Sequence, residues 1–136
     1  MIQVFVYGTL KPGEAYYAEY CEPYVVEAVP AIAQGHLFHL PMGYPAMTLG
    51  EGYVTGALLQ LKDEGEIAHM DDFEDYDPAL PEAENLYLRQ LRPVFSLEHQ
   101  PLGQAWMYMM LLERVQQYQG IPVSSGNWSR QQWPSI

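Results

Sequence analysis

Residues 4–13 read VFVYGTLKPG, an apolar run that ends in a tight turn close to the N-terminus. Ile2, Val4 and Val6 alternate with Gln3, Phe5 and Tyr7, and a β-branched, aromatic-rich alternation of this kind describes a mostly buried strand. Gly8 permits backbone angles closed to other residues, and Pro12-Gly13 adds a second turn signal. A rigid strand that ends in Gly-Thr presents consecutive backbone N–H groups at a fixed place. Such a nest suits a carboxylate or a developing oxyanion. A strand followed by a glycine turn is nonetheless common, so the turn alone does not define a site.

The rest of the chain sets the frame for that strand. Its 136 residues fit one domain with a single core. Six basic against seventeen acidic side chains give a formal charge of −11, a field that repels nucleic acid and anionic lipid. Cys21 is the only cysteine, which excludes an intramolecular disulfide and fits a reducing, cytoplasmic compartment. The N-terminus lacks the basic region of a signal peptide, and the longest apolar run, Ala105 to Leu112, is too short to cross a bilayer. The expectation is therefore a cytoplasmic protein with no nucleic-acid or membrane partner and an oligomeric state the sequence does not fix.

Glu14 to Glu22 reads as a short helical piece with tyrosines on one side. Ala31 to Leu40 reads as a strand broken by Pro41-Met42-Gly43. Gly52 to Leu61 is a further strand, in which Gly56 would mark a bulge. Across Lys62 to Asp75, Ile67, Met70 and Phe73 recur at helical spacing. A polar loop from Leu80 to Asn85 precedes two strands, Leu86 to Leu97 and Gly103 to Leu112, joined as a hairpin through Glu98 to Pro101. This pattern predicts an α+β fold: a small, mixed, barrel-like sheet of about five to six strands with short flanking helices. The domain spans residues 1–112. Residues 113–136 form a polar tail, and Trp128 and Trp133 favour its docking on the body over disorder.

The acidic run Asp71-Asp72-Phe73-Glu74-Asp75 closes the predicted helix. A charge run is ordinarily a solvated helix end, and the spacing lacks the glycine and terminal glutamate of a calcium loop. Phe73 on the apolar face leaves Glu74 about 100° away, at the edge between core and solvent. A carboxylate there is partly desolvated, which raises its pKa and makes it a usable proton acceptor. Other residues offer less. His36 and His39 fall on opposite faces of a strand, His69 and His99 lack ligand-like companions, and no metal site is expected. Cys21 reads as a small apolar filler, since no basic residue or histidine adjoins it. Ser124-Ser125-Gly126 lacks the context of a nucleophile elbow. Arg89 is expected in an ion pair with the acidic helix.

The string Tyr7-Gly8-Thr9-Leu10-Lys11-Pro12-Gly13 resembles the signature of the γ-glutamyl cyclotransferase-like superfamily, and in particular its γ-glutamylamine cyclotransferase branch. Met70-Asp71-Asp72-Phe73-Glu74 resembles the segment that ends in that family's catalytic glutamate. Tyr87-Leu88-Arg89 resembles its Y-x-R strand start, and Trp106-Met107-Tyr108 its late aromatic-x-Tyr strand. The stretch DYDPALPEAENL between Glu74 and Tyr87 is similar to bacterial members and would lid a pocket. The resemblance implies a small barrel-with-helices fold and a cofactor-independent enzyme. Its substrate would be a γ-glutamyl amide, whose α-amine closes on the γ-carbonyl to give 5-oxoproline and a free amine.

On that resemblance Glu74 is the general acid/base. The N–H groups of Gly8, Thr9 and Leu10 hold the substrate's α-carboxylate or its oxyanion. Tyr7, Tyr87 and Tyr108 supply pocket walls and hydroxyl donors, with simple buried aromatics as the alternative. An ordinary glutamate of pKa about 4.3 would take a proton from an ammonium near 8 at a cost of roughly 5 kcal/mol, so Glu74 should be kept from bulk water. Two other functions fit the same residues: a non-catalytic module that binds an amino-acid-like ligand through the turn, and an acidic interaction domain that uses the tryptophans.

Overall fold

The computed structural model describes residues 2–63, 65–74 and 76–129. Trp133 and Asp75, both named above, lie outside the described residues. The elements in chain order are β1 (Ile2–Val6), α1 (Tyr17–Tyr20), β2 (Val25–His39), β3 (Pro45–Leu61), α2 (Glu66–Phe73), β4 (Leu88–Phe95), β5 (Pro101–Met109), α3 (Leu112–Gln117) and β6 (Ile121–Pro122). Single turns of 3-10 helix cover Glu22–Tyr24 and Glu82–Glu84.

The six strands form one sheet in the order β3-β1-β5-β4-β2-β6, and β3 also pairs with β2. Five strands therefore close a hydrogen-bonded ring, with β6 on the outer side of β2. This is the predicted α+β fold, with its mixed sheet and short helices. The ring has strong and weak seams. β2 and β3 run antiparallel over most of their length, whereas β1 meets β5 in parallel at Val4↔Trp106 alone, and β2 meets β4 at Ile32↔Phe95.

Side-chain alternation divides the core in two. Phe5 of β1 and Tyr7 just past it join Ala31, Ala33, Leu58, Val94, Ala105 and Met107, a cluster drawn from all five ring strands. Val4 and Val6 face the other way, onto Leu59, Leu61, Cys21, Met70 and Tyr108, where Ile67 and Phe73 of α2 close over them. Both faces of β1 are thus covered, as its unbroken apolar character predicts. Cys21 is fully buried in the second cluster, and burial pushes its thiol up to about 12, with Glu74 adding to the shift.

Three expectations need correction. The strand expected from Gly52 begins at Pro45, so β3 runs through Gly50 and Gly52. These glycines suit the strand because a Cβ on Gly50 would come within 2.5 Å of the His36 ring, beside the register shift between Gln34 and His36. Gly56 marks no bulge: it stays in register with Ala31, and a side chain there would overlap the Val6 carbonyl. The helical piece expected from Glu14 to Glu22 is one α-turn followed by a 3-10 turn.

Beyond β5 the chain forms α3 and β6 and then seats Trp128, fully buried, in the ring-strand cluster. Its indole N–H donates to His39 Nδ1 at 3.0 Å. Lys11 of the first turn donates to Asn127 Oδ1 at 3.1 Å and to the Trp128 carbonyl. Nearby, the Thr55 N–H donates to the Gly126 carbonyl at 2.7 Å. Among the described residues no helix is long and apolar enough to cross a membrane. Trp128→Ala should cost about 3–5 kcal/mol, the usual range for emptying a large aromatic site. Urea unfolding would read this as a lower midpoint with an unchanged slope, and a loss below 1 kcal/mol would show that the indole adds little to the fold.

Candidate active site

The turn after β1 is built from three backbone bonds. Lys11 N–H donates to Gly8 O at 3.0 Å, Glu14 N–H to Lys11 O at 2.9 Å, and Tyr16 N–H to Thr9 O at 3.0 Å. Gly13 takes the left-handed φ of +89°, which favours glycine. Gly8 needs no such angle. It is required for a different reason: a Cβ there would lie 2.5 Å from Cγ of Pro45. The glycine lets the chain pass against β3, and the turn is anchored by that close approach. Among the described residues the N–H groups of Gly8, Thr9 and Leu10 donate to no acceptor within the chain. All three residues line a cavity of about 530 Å³.

α2 brings the second half. Met70 is buried, and Ile67 and Phe73 pack on the same cluster, as their spacing predicts. The helix stops at Glu74, its C-cap residue. Glu74 lines the cavity, and among the described residues no Lys, Arg or His belongs to the lining. Among the described residues its carboxylate has no hydrogen-bond or ion-pair partner. Burial alone raises its pKa to about 8. The side chain keeps partial exposure, but that exposure is to the cavity, where the surrounding protein replaces most bulk water.

Tyr7, Tyr87 and Tyr108 also line this cavity, so every residue singled out in the sequence for substrate contact adjoins it. Their phenol protons are already committed. Tyr7 Oη–H donates to the Tyr108 carbonyl at 2.5 Å, Tyr87 Oη–H to the Pro45 carbonyl at 2.7 Å, and Tyr108 Oη–H to Asp71 Oδ1 at 2.7 Å. The expected role as hydroxyl donors is therefore corrected: toward a ligand these oxygens have only lone pairs to offer. Tyr7 also accepts the Met47 N–H at 3.2 Å. Burial lifts all three phenols above their ordinary pKa, and Glu74 reinforces the shift in each.

Sequence reasoning missed two features. The first is the burial of Asp71, read as part of a solvated helix end, and the hydrogen bond it accepts from Tyr108; its ion pair with Arg89, whose Nε lies 3.4 Å away, is the one expected of that arginine. A signal existed: Asp71 follows Ile67 by four residues, on the apolar side of α2. The second feature is an aromatic group at the cavity wall. Phe73 meets Tyr20 edge-on at 4.6 Å and Tyr16 at 5.3 Å between ring centroids. The stretch expected to lid the pocket contributes only Leu86 among its described residues. Asn85 pins it instead, accepting the Asp77 N–H at 2.9 Å and donating to the Asp77 carbonyl. Among the described residues no three His, Cys, Asp or Glu side chains gather as a metal site.

A ring-closed mixed sheet with a YGTL turn and a desolvated glutamate facing it across one cavity defines a class, and comparison with known proteins gives it a family. Residues 4–130 match the family described as "Gamma-glutamyl cyclotransferase, AIG2-like". The chain belongs to that family. No curated protein matches the chain significantly. Among solved structures it is similar to YkqA from Bacillus subtilis, with a TM-score of 0.65 and 24% identity over 93% of this chain. The chain spans only 39% of that protein. It is also similar to an AIG2-like protein from Mus musculus, at TM-score 0.61 and 25% identity over 81% of this chain and 77% of the other. The ytfP protein of Escherichia coli gives 0.58 and 22%, over 96% of this chain and 99% of its own.

The raised Glu74 pKa has a consequence for stability. An unfolded glutamate ionises near pH 4.5, whereas the folded one holds its proton to about pH 8. Between these values the native state binds more protons than the unfolded state, so stability falls as pH rises through this window and levels off above it. Glu74→Gln should therefore leave stability near pH 4 unchanged and raise it at pH 8.5 by a few kcal/mol, about 5 at most. Paired urea titrations at the two pH values check this, and an equal effect at both would show that Glu74 ionises normally.

Proposed function

We propose that the protein is a γ-glutamylamine cyclotransferase, converting a γ-glutamyl amide to 5-oxoproline and a free amine. One observation carries this reading: a glutamate with a pKa near 8 shares a cavity with three consecutive backbone N–H groups, and neither it nor they have a hydrogen-bond partner among the described residues. Family membership supports the reaction class.

In the proposed reaction the Glu74 carboxylate takes a proton from the substrate's α-ammonium. The freed amine attacks the γ-carbonyl carbon of the same molecule and forms a tetrahedral oxyanion. The oxyanion then collapses, and the C–N bond to the leaving amine breaks as Glu74–H returns its proton to that nitrogen. The second proton of the ring nitrogen passes through the same carboxylate to the departing amine, which leaves as an ammonium. One group thus serves as base and acid, and a pKa near 8 suits both transfers. The N–H groups of Gly8, Thr9 and Leu10 receive the α-carboxylate or the oxyanion. Holding the glutamyl chain curled supplies proximity, since nucleophile and electrophile belong to one molecule. The cavity volume matches a small-ligand site. Its lining favours an amine over an amino acid as leaving group, because Asp72 and Glu74 would repel a second carboxylate and no cation among the described residues is there to hold it.

The test is release of 5-oxoproline from a panel of γ-glutamyl alkylamines and dipeptides. Glu74→Gln should lower kcat by about 10²–10⁴, the usual worth of a positioned acid/base, while glutamate binding measured by calorimetry persists. Binding without turnover in the wild type would instead support a non-catalytic module. For the wild type, kcat/KM should fall as pH drops below about 8, approaching tenfold per unit as the free enzyme's Glu74 protonates. A flat profile from pH 6 to 9 would remove Glu74 from the proton path.

A further inference from the structure

Asp71 stands outside the reaction just described, and its surroundings are specific. It is a buried carboxylate on α2, three residues before Glu74, and it reaches across to β5 and β4. Its Oδ1 accepts the Tyr108 O–H at 2.7 Å and lies 3.4 Å from Arg89 Nε. The Arg89 guanidinium is itself held between aromatic rings, 4.8 Å from the Trp106 centroid and 5.6 Å from that of Tyr76. Arg89 lines a separate outer groove with Trp106, Gln60 and Gln104, not the cavity of Glu74. The arginine therefore faces Asp71 from behind, and Tyr108 faces it from the cavity side.

The direction of the Tyr108 hydrogen bond matters. A phenol has one proton and two lone pairs. With the proton fixed on Asp71, the oxygen has only acceptor capacity left for the cavity it lines. The same holds for Tyr7 and Tyr87, whose protons go to backbone carbonyls. Backbone N–H groups on the turn side of this cavity therefore supply donors, and the tyrosine side supplies acceptors. A ligand that carries both an anion and an ammonium matches this division.

We propose that Asp71 is a positioning residue: by taking the Tyr108 proton it turns the phenol oxygen into an acceptor for the α-ammonium of a glutamyl ligand. Arg89, with Nε 3.4 Å from Asp71 Oδ1, braces that carboxylate toward Tyr108, and so acts on the ligand through two intervening groups. This rests on the proposed glutamyl specificity, but its test needs no turnover.

The test compares L-glutamate with glutarate by calorimetry. The two differ only at the α-ammonium, so the ratio of their affinities isolates the groups that receive it. The wild type should prefer glutamate by tenfold or more, the expected scale for a hydrogen bond to a charged group. Asp71→Ala and Tyr108→Phe should each abolish most of that preference while glutarate binding stays within about threefold. Asp71→Asn, which keeps an acceptor but loses the charge, should retain most of it. Where Asp71→Ala fails to fold, the volume-keeping Asp71→Leu replaces it, and Tyr108→Phe carries the same expectation independently. The proposal is overturned by an Asp71→Asn variant as impaired as Asp71→Ala, which would assign the effect to charge alone. It is equally overturned by a Tyr108→Phe variant with the wild-type ratio, or by a wild type indifferent to the ammonium. Absence of oxoproline release with the glutamate preference intact would reject the enzymatic reading and leave the Asp71 proposal standing.

Discussion

The Tyr7 hydroxyl holds the site together. β1 lies between β3 and β5, but its bridge to β5 is confined to Val4↔Trp106, so backbone pairing does little to fix the end of the strand on that side. One residue past the strand, the phenol spans both neighbours, donating to the Tyr108 carbonyl of β5 and accepting the Met47 N–H of β3. A buried oxygen satisfied in both directions is costly to disturb, since breaking either bond strands a polar group in the core. Immediately afterwards Gly8 closes onto Pro45, whose carbonyl is in turn bound by Tyr87. The turn, whose three N–H groups find no acceptor among the described residues, is therefore fixed by β3, β5 and Tyr87 together, and Lys11 ties its far end to the chain near Trp128.

The other half of the site is an unfavourable arrangement that the fold sustains. Among the described residues Glu74 gains no hydrogen bond in exchange for its desolvation, and burial is the cause of its raised pKa. Evidence that this is a property of the position comes from Asp72 on the same helix, which is exposed. Nearby Asp71 is also buried but is matched by a phenol proton and a guanidinium. Two carboxylates of one helix, three residues apart, thus meet opposite treatment, and only the unmatched one faces the ligand cavity.

How much of this was legible depends on whether the cause was local. The first strand was readable because both its faces are buried, which leaves an unbroken apolar signal. Ile67, Met70 and Phe73 declared the buried side of α2 through spacing alone. The start of β3 was hidden, because Pro45, Gly50 and Gly52 look like loop residues until β2 pairs His39 with Pro45 and brings His36 against the two glycines. Gly8 was noticed for the wrong reason: its backbone freedom is visible in sequence, but its contact with Pro45 is a tertiary fact. Tyr108 could be named as a wall residue, yet the direction of its hydrogen bond required Asp71 in place. Contacts between residues 37 or 101 positions apart, such as Tyr108 with Asp71 or Tyr7 with Tyr108, leave no periodic trace.

The division of labour between the two halves follows from what each can tolerate. Backbone N–H groups in a turn hold an anion without carrying charge, so they can be fixed rigidly by buried tyrosines and a glycine contact. A proton carrier needs a titrating group whose two forms are close in energy near neutral pH, and that requires a site poor in fixed partners. A lysine or arginine in the lining would bind a glutamyl carboxylate more strongly, but it would also lower the Glu74 pKa by stabilising its anion. Among the described residues no cation joins the lining, so the exposed turn N–H groups and the raised carboxyl coexist in one small cavity. Arg89 shows how the fold reconciles these demands: its charge is kept on the outer face, stacked on Trp106 and spent on Asp71, so it orders the cavity wall without neutralising Glu74.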